Sequence, residues 1–447
     1  MQKFFLHFLS VFVRVAVVGV KRPESIDSSL KILHRTFLEW EGKYSGGVDG
    51  EVKKQKENRT GWKKVGDCIW RRIFTLMNTN NPKQTQFINF CVGPVPSYEN
   101  VLALGSEQVP YFRTADFSDT MKANERMLLD LMRAPDESRV VFLTASGTGA
   151  MDAAVMNLLS PSDSALVING GSFGARFSQI CDYHHIPYTD IIPEMGCGVT
   201  QDMLAPYEGK GYSAFLVNMD ETSTGVLYDV QMIGDFCRRN HIFLLVDAVS
   251  AFLADPLVMD DWNIGAVVTA SQKALALPPG LSFAVLGPEA LERVSHNKCM
   301  CLYFDFALYL KDGERGQTPF TPAVQTLRQL HVRLLDLERE GGADMSVAHC
   351  AELARYFRER AFCGRYPFTM FSRSPANGVT SIHVSSKINA HDIFELLCRE
   401  YHIWICPNGG NLADSVFRVG HIGALTTADY DKLFEAFDDL KKRGLLQ

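Results

Sequence analysis

From Phe87 onward, short apolar runs alternate with stretches of helical periodicity. Val140 to Thr144, Ala165 to Asn169, Ala214 to Asn218, Ile242 to Val246 and Ala266 to Thr269 are each apolar nearly throughout and bounded by polar or glycine-rich turns. Runs of this length without polar alternation predict strands buried on both faces. Helix-length segments lie between them, such as Gly149 to Leu159 and Gln231 to Asn240. The alternation predicts an α/β fold, a mostly parallel sheet with helices on both faces. Pro319 and Pro322 break the pattern, and a long charged helix follows, Val324 to Gly341. Beyond it the spacing predicts strand (Val379 to Val384), helix (Ala390 to Tyr401), strand (Ser415 to Val419) and helix (Ala428 to Lys442), a smaller α+β unit. The expected division is a large domain over 77–325 and a small C-terminal domain over 326–447.

Residues 1–76 differ from the rest. They carry 15 Lys+Arg against 8 Asp+Glu, a surplus of seven that leaves the remainder at −13 for a total of −6. Phe4 to Val20 is apolar but interrupted by His7 and Arg14. It is too short and broken for a bilayer span, which needs about 20 apolar residues. A signal peptide is the alternative reading, although no clean small-residue cleavage site follows. Lys53 to Lys64 is basic and polar, with little to bury. The abrupt change predicts that 1–76 is an extension and that the functional protein starts near Met77; the activity of a chain beginning there would check this.

At 447 residues, 46% hydrophobic and 21% charged, the chain has the material for a large core. Its net negative charge argues against a nucleic-acid surface. Eleven scattered cysteines fit thiols in a reducing, cytoplasmic compartment better than a disulfide framework. Cys181 with His184 and His185, and His296 with Cys299 and Cys301, are fragments without a full zinc ligand set, so no metal is expected. Arg113, in Tyr111-Phe112-Arg113-Thr114, stands either at a site entrance or in a structural ion pair.

The chemistry concentrates where strands end, because ligands in parallel α/β sheets bind outside the strands' carboxyl ends. Leu244-Leu245-Val246-Asp247 puts a carboxylate at one such end, and Val267-Val268-Thr269-Ala270-Ser271-Gln272-Lys273 puts an amine just past the next. Pyridoxal phosphate needs that pair: a lysine to bond its aldehyde as a Schiff base, and a carboxylate to keep its pyridine nitrogen protonated. The competing reading is a buried ion pair. Ser146-Gly147-Thr148, between a strand and a helix start, offers free amides and a helix dipole to a phosphate; taken alone, it is equally a helix cap.

These residues fall in a larger ordered set. Val92-Gly93-Pro94, Ser146-Gly147-Thr148-Gly149-Ala150-Met151, Asn169-Gly170 with Phe173-Gly174-Ala175-Arg176, Glu221-Thr222-Ser223-Thr224-Gly225, Asp247-Ala248-Val249-Ser250, Ser271-Gln272-Lys273-Ala274-Leu275 and Phe417-Arg418-Val419-Gly420 occur in this order. Phe87 to Leu445 thereby resembles the class V aminotransferases of fold type I, a group including alanine–glyoxylate, serine–glyoxylate and 2-aminoethylphosphonate transaminases. An ordered set over about 360 residues is far more specific than one motif. The resemblance implies pyridoxal phosphate as cofactor and roles for single residues. Lys273 would hold the cofactor and Asp247 its ring nitrogen. Phe173 would stack on the ring, Thr222 touch its oxygen, and Ser146, Gly147, Thr148 and Gln272 bind the phosphate. Thr318 and Thr321 would reach the phosphate of a neighbouring subunit, which implies a homodimer with shared sites. Arg418 would grip a substrate carboxylate, a task suited to the guanidinium fork. Against each stands a plainer role as core, cap or surface ion pair.

The expected activity is transfer of an amino group from a small donor to a 2-oxo acid such as pyruvate or glyoxylate. A 2-aminoethylphosphonate–pyruvate transaminase is the alternative, although that group usually has Asn where this chain has Gln272 and Tyr where it has Phe173. A cysteine desulfurase or other lyase on the same fold would stack a histidine in place of Phe173 and need a mobile cysteine. A non-enzymatic scaffold would have lost Lys273 or gained a DNA-binding module, and the sequence shows neither.

Overall fold

The computed structural model describes residues 87–385 and 387–446. The expectations placed on 1–76 and on a start near Met77 lie outside the described residues. Thr85–Gln447 forms a compact unit.

Its centre is a seven-stranded sheet: β1 (Arg139–Leu143), β2 (Ala165–Ile168), β3 (Tyr188–Ile191), β4 (Ala214–Asn218), β5 (Phe243–Asp247), β6 (Ala266–Ala270) and β7 (Ser282–Leu286). Across the sheet they run β1-β7-β6-β5-β4-β2-β3, all parallel except β7, which is antiparallel to both neighbours. The apolar runs are buried on both sides because alternate residues serve different cores. Phe142, Leu166, Phe215, Leu244, Val246 and Val267 enter one cluster; Val141, Val167, Leu216, Leu245, Val268 and Ala284 enter the other.

Helices α1 (Gly147–Leu158) and α2 (Gly174–His184) cover the second face, and α3 (Val230–Asn240) and α4 (Val324–Glu340) the first. Ser146 caps α1, its hydroxyl accepting from Gly149 N at 3.2 Å. In α3, Gly234 packs so closely that a Cβ would lie 1.8 Å from Trp262 O. Gly234→Ala should therefore push α3 off the sheet and cost about 3 kcal/mol or more, beyond its small helix-propensity gain. A denaturant midpoint equal to wild type would contradict this.

Helix α5 (Gly342–Ala361) leads to a four-stranded antiparallel sheet of β8 (Phe368–Met370), β9 (Val379–Val384), β10 (Cys406–Pro407) and β11 (Val416–Gly420), ordered β8-β9-β11-β10. Its core joins Phe357, Phe368, Ile382 and Phe417 with Leu433, Phe434 and Phe437 of α6 (Thr427–Lys442). The first described strand, Ile88–Asn89, runs parallel to Ile403–Trp404. This brings the following Val92-Gly93 segment back toward the main sheet. No helix among the described residues is long and apolar enough to cross a membrane, and the ten cysteines among them are free thiols.

Candidate active site

Of the predicted residues, Thr222, Asp247, Gln272 and Lys273 lie at or just past the carboxyl ends of β4, β5 and β6. Asp247 is the last residue of β5, in register with Asn218 of β4 and Val268 of β6. Lys273 follows β6 by three residues, with 9% of its surface exposed. Its Nζ donates to Val92 O at 2.7 Å. Room for the side chain comes from Gly93, at φ +143°, where a Cβ would meet Lys273 Cδ and Cε at 2.9 Å.

Both ionisable groups are perturbed. Burial pushes the Asp247 carboxyl up to about 6, opposed by the Val249 N–H bonded to its Oδ1 at 2.8 Å and by Lys273. Burial lowers the Lys273 amine from the usual lysine value, offset by nearby acidic groups, Asp220 first. A carboxylate raised and an amine lowered at adjacent strand ends mark a reactive centre more than a stability device.

The surrounding residues are held firmly. Glu221 accepts from Phe173 N (3.1 Å), Gly174 N (2.9 Å) and Asn218 Nδ2 (3.0 Å), fixing the loop that presents the Phe173 ring. At Gly171 a Cβ would lie 2.5 Å from Glu221 Cδ, so this loop tolerates only glycine at that approach. The Arg176 guanidinium lies 5.4 Å from the Phe173 ring centroid and donates to Thr148 Oγ1 at 2.7 Å, tying the stacking loop to the start of α1. Gly147 sits against Val249, two residues past Asp247. The Thr222 hydroxyl pairs with Ser250 Oγ at 2.6 Å.

Arg418, in β11, reaches across from the small sheet. Its Nη1 donates to Thr222 O (3.0 Å) and Nη2 to Pro407 O (2.7 Å), while Nε is buried without a partner. Gln272 Oε1 and Asn218 Oδ1 are likewise buried and unpartnered. Thr318 and Thr321 stand apart. The Thr318 hydroxyl donates to Phe320 O at 2.7 Å, and Thr321 is exposed. Arg113 braces their segment through Thr318 O (2.9 Å) and Gln317 Oε1 (3.2 Å).

The sequence reading overlooked the clamp role of Glu221, the partner role of Ser250, and Asp220. Glu221 and Ser250 lie inside quoted motifs, so their letters were visible while their contacts were not. Asp220, immediately before one of them, gave no signal.

A buried amine, a buried carboxylate and a capped helix start thus lie at one edge of the main sheet. Comparison places this arrangement: the family model described as aminotransferase class-V matches residues 96–414, and the chain belongs to that family, as a transaminase. Among its relatives, a protein named soluble hydrogenase, small subunit, from Synechococcus sp. is 29% identical over 75% of this chain and 88% of its own. The serine–glyoxylate aminotransferase of Arabidopsis thaliana is 28% identical over 75% of this chain and 85% of its own. The subgroup IV aspartate aminotransferase of Thermus thermophilus superposes with a TM-score of 0.71 at 26% identity, covering 79% of this chain and 99% of that one. The fold is fold type I, as the motif order implied.

Family membership implies pyridoxal phosphate, and the residues fit it. Gln272 Oε1, Asn218 Oδ1 and Arg418 Nε are among the buried polar atoms that have no partner within the protein, and such atoms are free to meet a polar ligand.

Proposed function

We propose that the protein moves an amino group from a small donor to a 2-oxo acid such as pyruvate or glyoxylate. The observation that carries this is that Asp247 and Lys273, at the carboxyl end of the main sheet, are approached by Arg418 of the small sheet, whose guanidinium donates to Thr222 O. A relative named for glyoxylate as acceptor supports the choice of a short 2-oxo acid.

In this reading Lys273 holds the cofactor covalently, Asp247 faces its ring nitrogen, and Phe173 lies on the ring. Thr222 touches the ring oxygen. Ser146, Gly147, Thr148 and Gln272 hold the phosphate, and Thr318 and Thr321 serve the phosphate of a second subunit in a homodimer. When bound, pyridoxal phosphate supplies an electron sink for the carbanion that forms at the substrate's α-carbon. The protein does the rest. The Lys273 amine, lowered by burial toward a pKa useful for catalysis, takes the α-proton and returns it. Asp247 contributes a fixed negative charge that would keep the ring nitrogen protonated, in a site where water does not screen it. Arg418 orients the carboxylate through donors its two backbone bonds leave free.

Two measurements test the reading. Mixing the loaded enzyme with single amines and following loss of the cofactor's visible band identifies the donor; an enzyme inert to all small amino acids would count against the proposal. Arg418→Lys keeps the charge but loses the fork, so KM for the 2-oxo acid should rise about 10–100-fold with kcat changed far less. An unchanged KM would remove Arg418 from the substrate site.

A further inference from the structure

Behind β11 three polar side chains meet out of reach of water. His421 and Tyr430 are 0% exposed and Thr380 1%. Thr380 belongs to β9 and Tyr430 to α6, while His421 directly follows the last residue of β11. The Tyr430 hydroxyl donates to Gly420 O at 3.0 Å and lies 2.8 Å from His421 Nδ1. His421 Nε2 lies 2.7 Å from Thr380 Oγ1, which accepts from Arg358 Nε of α5 at 2.8 Å. The protons along this chain have one consistent arrangement. A carbonyl only accepts, so the Tyr430 proton points at Gly420 O and its oxygen takes the His421 Nδ1–H. Burial, and then the charge of Arg358, hold the imidazole well below its usual pKa, so it stays neutral and Nε2 accepts from the Thr380 hydroxyl. Every link is satisfied, as a buried polar chain requires.

The chain ends two residues from Arg418. Side chains alternate along β11. Phe417 and Val419 enter the core beside Phe357 and Tyr430, so Arg418 and Gly420 face the other way, toward the main sheet. Gly420 N donates to Phe90 O at 2.7 Å, and Val92, two residues beyond Phe90, accepts from Lys273 Nζ. His421 N donates to Gly378 O at 2.9 Å. The neighbouring Asn377 N donates to Asp255, which follows β5, at 3.0 Å. The end of β11 is thereby tied on one side to the segment that meets the lysine and on the other to the loop beyond β5.

Resting on the reading of Arg418 as the grip on the substrate carboxylate, we infer that His421 and Tyr430 are positioning residues for it. Their hydrogen-bond chain fixes the end of β11 and hence the angle at which the guanidinium fork meets the carboxylate. A two-pronged contact depends on that alignment, because both N–H···O bonds must be straight at once. Arg418 has little else to hold it. Nη1 and Nη2 each give one proton to a backbone carbonyl, and Nε has no partner. Its direction is therefore set by the strand beneath it. The plainer role, core stability alone, differs in one respect: it would not act through Arg418.

The test is a double-mutant cycle read in KM for pyruvate and for glyoxylate, on full chains loaded with cofactor. Tyr430→Phe removes one hydroxyl and keeps the ring packed beside Phe90 and Phe357. It should raise KM roughly 3–10-fold, the worth of about one buried hydrogen bond, with kcat changed far less. In an Arg418→Lys background the same substitution should raise KM by less than about twofold. Independent effects multiply, so equal factors in both backgrounds would overturn the inference. An unchanged KM in folded Tyr430→Phe would do the same. A second pair covers the case in which Tyr430→Phe fails to fold, judged by its melting temperature. Thr380→Val cuts the chain at its other link and should reproduce the rise, whereas Thr380→Ser keeps the hydroxyl and should not; equal shifts from both would again overturn it. Failure of the underlying reading looks different: Arg418→Lys alone would then leave KM at its wild-type value.

Discussion

Lys273→Ala is expected to abolish turnover and, with it, the visible band of the bound cofactor. The side chain is the buried amine of the site, so under the proposed function its removal deletes both the covalent anchor and the group that carries the α-proton. General acid–base transfer alone accounts for about 10²–10⁴-fold, and the covalent step adds to that. The fold should survive. Lys273 makes one hydrogen bond, to Val92 O, and its burial already penalises the charged form, so truncation relieves a cost while opening a cavity. Spectral titration with pyridoxal phosphate, a single-turnover assay and a thermal melt measure the three consequences separately. A variant that melts like wild type yet turns over at more than a hundredth of its rate would sink the assignment of Lys273. A variant that loses activity only because it unfolds would be exposed by the melt.

The architecture was legible because its strands are unusually plain. β2, β4, β5 and β6 are uninterrupted apolar runs, and burial on both faces is the one environment that demands them. β7 escaped the reading although Ser282–Leu286 is just as apolar, and its direction lies in no local property: it follows from insertion between β1 and β6, a non-local pairing. The helix expected over Ala390 to Tyr401 is α-helical only to Leu396 and then widens into a π turn ending at Tyr401. Apolar periodicity does not distinguish these two windings.

Within the site, legibility followed chemistry rather than contact. Asp247 and Lys273 announced themselves as charged residues at the ends of apolar runs, where a structural explanation is costly. Glu221 did not, because an acid after a strand is ordinary until one sees it accepting from Phe173 N, Gly174 N and Asn218 Nδ2. Arg113 was ambiguous between an entrance residue and an ion pair. It bonds instead to the Thr318 and Pro319 carbonyls and to Gln317 Oε1, a brace that no charge pattern could have revealed. Asp220 is the extreme case, since the absence of a hydrogen-bond partner is a property of three-dimensional surroundings alone.

Asp247→Asn should move activity and stability in opposite directions. An aspartate in the unfolded chain ionises near its ordinary 3.8, whereas the buried side chain does so at about 6. Between those values the folded state binds more protons than the unfolded one. Stability of the cofactor-free protein therefore declines as pH rises through this window, and the full deficit is present above it. Two units correspond to roughly 3 kcal/mol. Asparagine keeps the oxygen that accepts from Val249 N but cannot ionise, so at pH 8 the cofactor-free variant should be the more stable by roughly 2–3 kcal/mol. At pH 4 the two proteins should differ little. Activity should fall by roughly 10²–10³-fold or more, the usual cost of losing a preorganised electrostatic partner, here the one proposed to keep the ring nitrogen protonated. Denaturant melts of both cofactor-free proteins across this range, with kcat of the loaded forms, measure the two effects independently. Equal stability at pH 8 would mean that Asp247 is better solvated than its position at the end of β5 implies. Retained activity would mean that the carboxylate faces something other than the cofactor's ring nitrogen.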